Sequence, residues 1–102
     1  MNAHLLIMYP APTDPKAFDR AYRDEHLPYA GPRLKGATGV ATRRVLAPPR
    51  TTSPYHTISD VTFPSIEALQ ATASSQGGKE ALAHAASIST GGAPLILVVN
   101  DE

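Results

Sequence analysis

An unbroken apolar run near the N-terminus predicts the first strand. Residues 4–9 are apolar apart from His4, and the run stops at Pro10, which cannot donate a hydrogen bond to a neighbouring strand. Alternation gives the strand two faces, with His4, Leu6 and Met8 on one and Leu5, Ile7 and Tyr9 on the other. Because both faces are apolar, we expect a central strand that is covered on both sides.

A helix is predicted to follow this strand. In Asp14-Pro15, a side chain that can cap free N–H groups precedes a residue favoured at the first helical position. A spacing of four residues then places Phe18, Tyr22 and His26 on one stripe of the helix. Since Pro28 disfavours helical angles at the residue before it, the regular helix is predicted to end near Pro28.

Three further strands are predicted after the helix. Turn-forming residues bound three apolar or alternating segments, which lie at residues 36–46, 55–63 and 94–99. In the segment at residues 55–63, Thr57, Ser59 and Val61 share one face.

A second helix is predicted between the last two strands. Ser65 is its expected N-cap, residues 74–78 interrupt it, and residues 79–88 continue as a weaker helical segment. The whole chain, residues 1–102, is then one domain with the order strand, helix, strand, strand, helix, strand. This is the βαββαβ order of the ferredoxin-like α+β fold, which has a four-stranded antiparallel sheet.

Helices cover only one face of such a sheet, yet the central strand is apolar on both faces. A homodimer joined sheet to sheet would bury the second face and form an α+β barrel from two chains. We therefore expect a homodimer whose interface exceeds about 1,000 Å².

Composition narrows the class of partner. Nine basic and nine acidic residues balance, which disfavours nucleic acid as a partner. One stretch without acidic residues is either a solvated surface or a binding site for an anion; its basic residues are Arg33, Lys35, Arg43, Arg44 and Arg50. The chain has no cysteine, no signal-peptide pattern and no apolar run that could span a bilayer, so a cytoplasmic protein without membrane contact is expected.

Motifs for a bound metal or cofactor are absent from the sequence. The four histidines are far apart, and no carboxylate–histidine spacing typical of a metal site occurs. No glycine-rich dinucleotide loop, phosphate loop or Gly-x-Ser-x-Gly motif is found. We therefore expect neither a metal nor a cofactor.

His26 and Tyr22 are the candidate catalytic residues. Imidazole titrates near neutral pH, so His26 is a general acid or base, a histidine favoured by the end of its helix, or a partly buried histidine with its hydrogen bonds satisfied. Tyr22, one turn earlier, is either a core aromatic residue or a donor to developing negative charge. His84 lacks any flanking pattern, and we expect it at the surface.

Several motifs, taken in order, resemble the EthD family of dimeric α+β barrel proteins: Tyr9-Pro10, Phe18-x-x-x-Tyr22-x-x-x-His26-x-Pro28, Ser65-x-Glu67-Ala68 and Gly91-Gly92. The resemblance runs over nearly the whole chain. It departs from the family pattern at His84 and Ile88, where relatives carry an acidic and an aromatic residue. The named member of the family is tied to the oxidative breakdown of an ether fuel additive. Similar barrels include cofactor-independent monooxygenases, isomerases and polyketide cyclases, so the fold alone does not select the reaction.

The resemblance implies a protein that binds a small hydrophobic or aromatic organic compound, as a cofactor-independent, monooxygenase-like oxidoreductase of a degradation pathway. The alternatives are a polyketide cyclase or isomerase that uses acid–base chemistry, a non-catalytic accessory binding protein, and a structural dimer whose histidine stripe is only core. In the enzymatic reading His26 moves a proton and Tyr22 stabilises negative charge. The expected substrate-binding residues are His4, Leu6, Met8, Phe18, Thr57, Ser59 and Val61.

Overall fold

The strands predicted from the sequence form one sheet in a computed structural model that describes all of residues 1–102. Their bounds are Ala3–Pro10 (β1), Gly39–Arg44 (β2), Tyr55–Phe63 (β3) and Leu95–Asn100 (β4). The spatial order is β2-β3-β1-β4, and every neighbouring pair is antiparallel. The predicted ferredoxin-like fold is confirmed, and β1 is a central strand as its apolar run indicated.

Alternation along β1 decides which face of the sheet the helices cover. Leu5, Ile7 and Tyr9 are buried in one core with residues of the helices. Their partners on β3 are Val61, Ser59 and Thr57, which are also buried. We call this the helix-covered face.

The first helical region continues past the predicted end at Pro28. An α-helix over Pro15–Ala21 (α1) passes into a π-helical segment over Tyr22–His26, a short helix over Leu27–Ala30 (α2) and a 3₁₀ turn over Gly31–Arg33. The predicted cap is present, since Asp14 accepts a hydrogen bond from the Ala17 N–H. Pro28 is accommodated because it directly follows the π turn and stands in the first turn of the short helix.

The second helical region consists of Ile66–Ala73 (α3) and Gln76–Ile88 (α4). Ser65 caps the first of these by accepting a hydrogen bond from the Ala68 N–H, as predicted. The break is shorter than expected, because Ser75 caps α4 and Gly78 lies inside the helix. A Cβ at Gly78 would overlap the carbonyl oxygen of Thr72, so a helix that begins this close to the preceding one requires glycine here.

The opposite side of the sheet, which we call the open face, carries no helix. Its residues come from the alternate positions of the strands; the large apolar ones are Leu6, Met8, Ile58, Leu95, Leu97 and Val99. The last three are each about 40% exposed. Among the helices, none combines the length and apolar character needed to cross a membrane.

Candidate functional site

Tyr22 and His26 stand at the two ends of the π-helical segment on the helix-covered side of the sheet. The wider turn is closed by a hydrogen bond from the Leu27 N–H to the Tyr22 carbonyl oxygen, five residues back. Both side chains are buried, at 5% and 3% exposure. Single π turns occur frequently at functional sites in helices, and here one carries both candidate catalytic residues.

The Tyr22 hydroxyl is held by two strands. Its oxygen is 2.6 Å from Ser59 Oγ on β3 and 2.7 Å from Thr42 Oγ1 on β2. A phenol has one proton to donate, so at least one of the two hydroxyls must donate to it. The network fixes the position of the phenol oxygen between β2 and β3.

His26 connects the buried core with the surface. Its Nε2 lies 3.4 Å from Tyr9 Oη, and its Nδ1 lies 2.9 Å from Nδ1 of His84 on α4. The two imidazole rings are nearly parallel, 7° apart. His84, expected at the surface, is half-buried, because α4 packs one side of its ring against His26.

Burial controls the charge of the His26 imidazole. Removal from water, reinforced by the neighbouring His84, lowers the pKa of His26 to about 4. Burial also raises the pKa of Tyr9 far above its usual range, with a further contribution from Tyr22. At neutral pH the buried pair is therefore a neutral imidazole beside a neutral phenol.

Aromatic rings continue the predicted stripe across the helices. Phe18 stacks on Tyr22, with ring centroids 5.9 Å apart, and also contacts Tyr9. At the other end, His84 stacks on Tyr29 at 4.5 Å, and Arg33 covers the outer side of that tyrosine ring. Phe18 is 2% exposed and lines neither of the pockets described next, so it supports Tyr22 by packing.

His26 opens onto a pocket of about 250 Å³ between the sheet and α2. Its walls are mostly aliphatic, formed by Ile7, Leu27, Ala30, Leu34, Val40 and Val61. The only polar side chains that line the pocket are those of His26, Thr42 and Ser59. We call it the apolar pocket; aliphatic walls with a few convergent polar groups are typical of sites for small organic ligands.

A second pocket, of about 300 Å³, adjoins the first at Leu27 and Thr42, which line both. We call it the polar pocket, since its other lining residues are Asp19, Tyr22, Arg23, Arg44 and Thr57. Asp19 Oδ1 is 3.0 Å from Arg44 Nη2 and 2.8 Å from His56 Nε2. Partial burial opposes ionisation of Asp19, but the hydrogen bonds from His56 and Arg44 outweigh it and lower the pKa of the carboxyl group.

The predicted substrate-binding residues divide between the two faces of the sheet. Ser59 and Val61 line the apolar pocket with His26, and Thr57 lines the polar pocket with Tyr22. His4, Leu6 and Met8 lie on the open face, so the structure does not bring them together with the helical stripe. The sequence could not decide between the two faces because both are apolar.

His4 takes part in a separate network on the open face. Its Nδ1 is 2.8 Å from Asp60 Oδ1 and its Nε2 is 2.8 Å from Asp101 Oδ1. The hydrogen bond to Asp60, supported by Asp101, raises the pKa of His4. No group of three or more His, Cys, Asp or Glu side chains in the chain is arranged to hold a metal ion.

Comparison with family models matches residues 10–87 to the EthD domain. The chain belongs to the EthD family. The match includes Tyr22, His26 and His84, and the resemblance predicted from the sequence is confirmed. Comparison with curated proteins found no match.

Solved structures share the fold along the whole chain. An EthD family protein from Bacillus halodurans is 22% identical, with a TM-score of 0.88 and complete coverage of both chains. A dimeric ferredoxin-like protein of unknown function from a Jannaschia species is 18% identical, with a TM-score of 0.65 and 98% coverage of each chain. SnoaB, a cofactor-independent oxygenase from Streptomyces nogalater, is 10% identical, with a TM-score of 0.65, over 98% of this chain and 92% of its own. At these identities the similarity establishes the fold alone.

Proposed function

We propose that this EthD-family protein binds a small hydrophobic organic compound in the apolar pocket and acts on it as a cofactor-independent oxidoreductase of the monooxygenase type, within a degradation pathway. The observation that carries the proposal is a buried, neutral imidazole at the wall of an otherwise aliphatic pocket. An apolar pocket selects a hydrophobic compound, and a neutral imidazole can remove a proton from it. SnoaB has the same fold and is a cofactor-independent oxygenase, so the fold is compatible with this chemistry.

The proton is taken by Nε2 of His26. This role requires the tautomer in which His26 Nδ1–H donates to Nδ1 of His84, 2.9 Å away, so that Nε2, whose contact with Tyr9 Oη is 3.4 Å long, is the acceptor. An activated C–H or O–H bond of the bound compound breaks, and an N–H bond forms at Nε2. Tyr22 lines the adjoining polar pocket, and in this proposal Ser59 and Thr42 both donate to its oxygen. The phenol proton then points to the negative charge that develops on the compound and stabilises it. Where the compound loses its proton from a CH₂ carbon, molecular oxygen then attacks the resulting anion. One oxygen atom forms a C=O bond at that carbon, and the other leaves as water with the two hydrogens of the CH₂ group, so O₂ is the four-electron oxidant and no reductant is needed.

His84 compensates for the low basicity of His26. A positive charge on the buried His26 is unfavourable, as its lowered pKa shows. Transfer of the Nδ1 proton across 2.9 Å to His84 moves the charge to a half-buried residue, which can release a proton to solvent. The pair therefore couples the buried base to water without opening the core.

The same proton path favours a second candidate function. An isomerase or a cyclase must return a proton to its substrate after removing one, and the connection from His26 to His84 can supply it. In this case the anion is not oxidised but is protonated at another atom or closes a ring.

Proton abstraction and oxygen use can be measured separately. Hydrophobic diketones and polyphenols, which have acidic C–H or O–H groups, would be incubated with the protein in ²H₂O without oxygen, and then in water under air. Exchange of a C–H proton together with oxygen consumption supports the oxidoreductase, exchange alone supports the isomerase or cyclase, and neither supports an accessory binding protein. His26→Gln should slow the reaction by about a hundredfold to ten-thousandfold, and Tyr22→Phe should slow it less because the ring remains.

The proposal includes a homodimer joined through the open face. Leu6, Met8, Ile58 and Leu97 form the centre of an apolar surface that the chain itself leaves partly exposed. Apolar surfaces of this extent are usually interaction sites, and a second copy of the same sheet would cover it. The fold is shared with a dimeric ferredoxin-like protein. The pocket lies on the other side of the sheet, so each subunit carries its own site.

A further inference from the structure

The polar pocket contains a buried hydroxyl that has no partner. Thr57 is 2% exposed, and its Oγ1 is the one buried side-chain nitrogen or oxygen atom in the chain without a hydrogen bond. A buried polar group normally finds a partner, because an unpaired one loses its hydration without compensation. Thr57 lines a pocket large enough to hold a polar group of a ligand, and such a group can supply the missing hydrogen bond.

Arginine side chains make this pocket suitable for an anion. The charged residues that line it are two arginines, Arg23 and Arg44, and a single carboxylate, Asp19. Arg44 contacts Asp19 through Nη2, which leaves the donors on Nε and Nη1 available. Arg23 forms a pair with Asp24 at 3.2 Å, but both side chains are more than half exposed, so the pair competes weakly with a ligand.

The apolar pocket alone is too small for most organic ligands, which would also extend into the polar pocket. The apolar pocket, at about 250 Å³, is smaller than a typical site for a drug-sized compound. The polar pocket adds about 300 Å³ directly beside it, beyond Leu27 and Thr42. A compound that fills both has an apolar body next to His26 and a polar end next to Arg44.

We infer that the ligand is a hydrophobic carboxylic acid, whose body occupies the apolar pocket and whose carboxylate is held by Arg44 and the Thr57 hydroxyl in the polar pocket. This inference rests on the proposed function and specifies its substrate class. The guanidinium group is suited to the planar carboxylate, and the Thr57 hydroxyl donates its proton to one of the carboxylate oxygens. Asp19, held ionised by His56 and Arg44, fixes the orientation of the guanidinium group.

Matched ligands and neighbouring arginines test the inference. Binding of naphthalene-1-carboxylate and of its neutral analogue, naphthalene-1-carboxamide, would be measured by calorimetry at pH 7.5. We expect Arg44→Gln to weaken binding of the carboxylate about tenfold and to leave the carboxamide unchanged. Arg43→Gln is the control, because Arg43 is the adjacent residue but lies on the open face, 3.3 Å from Asp60. The oligomeric state of the Arg43→Gln variant would be checked in parallel.

Thr57 provides a second, independent comparison. Thr57→Val keeps the shape of the side chain and should weaken carboxylate binding about tenfold, while Thr57→Ser, which keeps the hydroxyl, should retain it. If the carboxamide binds as tightly as the carboxylate, or if neither Arg44→Gln nor Thr57→Val weakens the carboxylate, the inference is wrong and the proposed function stands. If neither compound binds to the wild-type protein, the proposed ligand-binding function fails and the inference fails with it.

Discussion

His26 should make the fold sensitive to mild acid. In the folded chain its pKa is lowered to about 4, compared with 6.5 for the exposed residue. Below pH 6.5 the unfolded chain binds a proton that the folded chain does not, so the free energy of unfolding should fall as the pH falls from 6.5 to about 4. At about 1.4 kcal/mol for each pH unit, the loss is about 3 kcal/mol. The total free energy of unfolding of a small domain is about 5–15 kcal/mol, so the effect is large enough to measure by urea unfolding.

Two other groups with shifted pKa values, His4 and Asp19, should not change the free energy of unfolding between pH 6.5 and 4. The raised pKa of His4 gives stabilisation that is complete below pH 6.5 and is lost only as the pH rises through its folded pKa. The lowered pKa of Asp19 gives stabilisation that is lost only as the pH falls below about 3.8. His26→Phe keeps a ring in the stack but cannot titrate, so the variant should lose less stability than the wild type between pH 6.5 and 4. Equal losses at the same protein concentration would show that His26 titrates normally and would refute the buried neutral base.

Three further predictions concern single residues. Thr57→Val should raise the free energy of unfolding by about 1 kcal/mol, because it removes an unpaired buried hydroxyl; a loss of stability in urea unfolding would contradict this. Leu97→Lys places a charge on the open face and should convert the proposed homodimer to a folded monomer in light scattering; a wild-type protein that is already monomeric at micromolar concentration would rule out this homodimer. In ¹⁵N NMR the wild type should show a coupling between the Nδ1 atoms of His26 and His84, and His84→Phe, which keeps the stack on Tyr29, should abolish it.

Local patterns predicted the strands and the helix caps. Asp14 and Ser65 cap helices where the sequence placed them, because a cap depends on residues within one turn of itself. The strand at Tyr55–Phe63 has the predicted bounds, since its alternation and its flanking prolines are both local. The helix near Pro28 was misjudged, because a π turn before the proline allows the chain to restart a helix there.

Contacts between distant parts of the chain were not predictable from these patterns. His84 lies 58 residues from His26, and only the packing of α4 brings the two rings together. The face of β1 that binds the helices was equally undetermined, because Leu6 and Met8 are as apolar as Leu5 and Ile7. The division of the site into an apolar and a polar pocket depends on the side chains of β2, whose register against β3 the sequence did not specify.

NMR can determine whether a hydrophobic ligand binds beside His26 in the apolar pocket or on the open face of the sheet. Nuclear Overhauser effects would be measured between naphthalene-1-carboxamide and the methyl groups of the protein, together with the ¹⁵N shift of His26 Nε2. We expect contacts from the naphthalene ring to the methyl groups of Leu34 and Val61 and a change in the Nε2 shift on binding. Contacts to Leu6 and Leu97 on the open face, with Nε2 unchanged, would contradict this expectation.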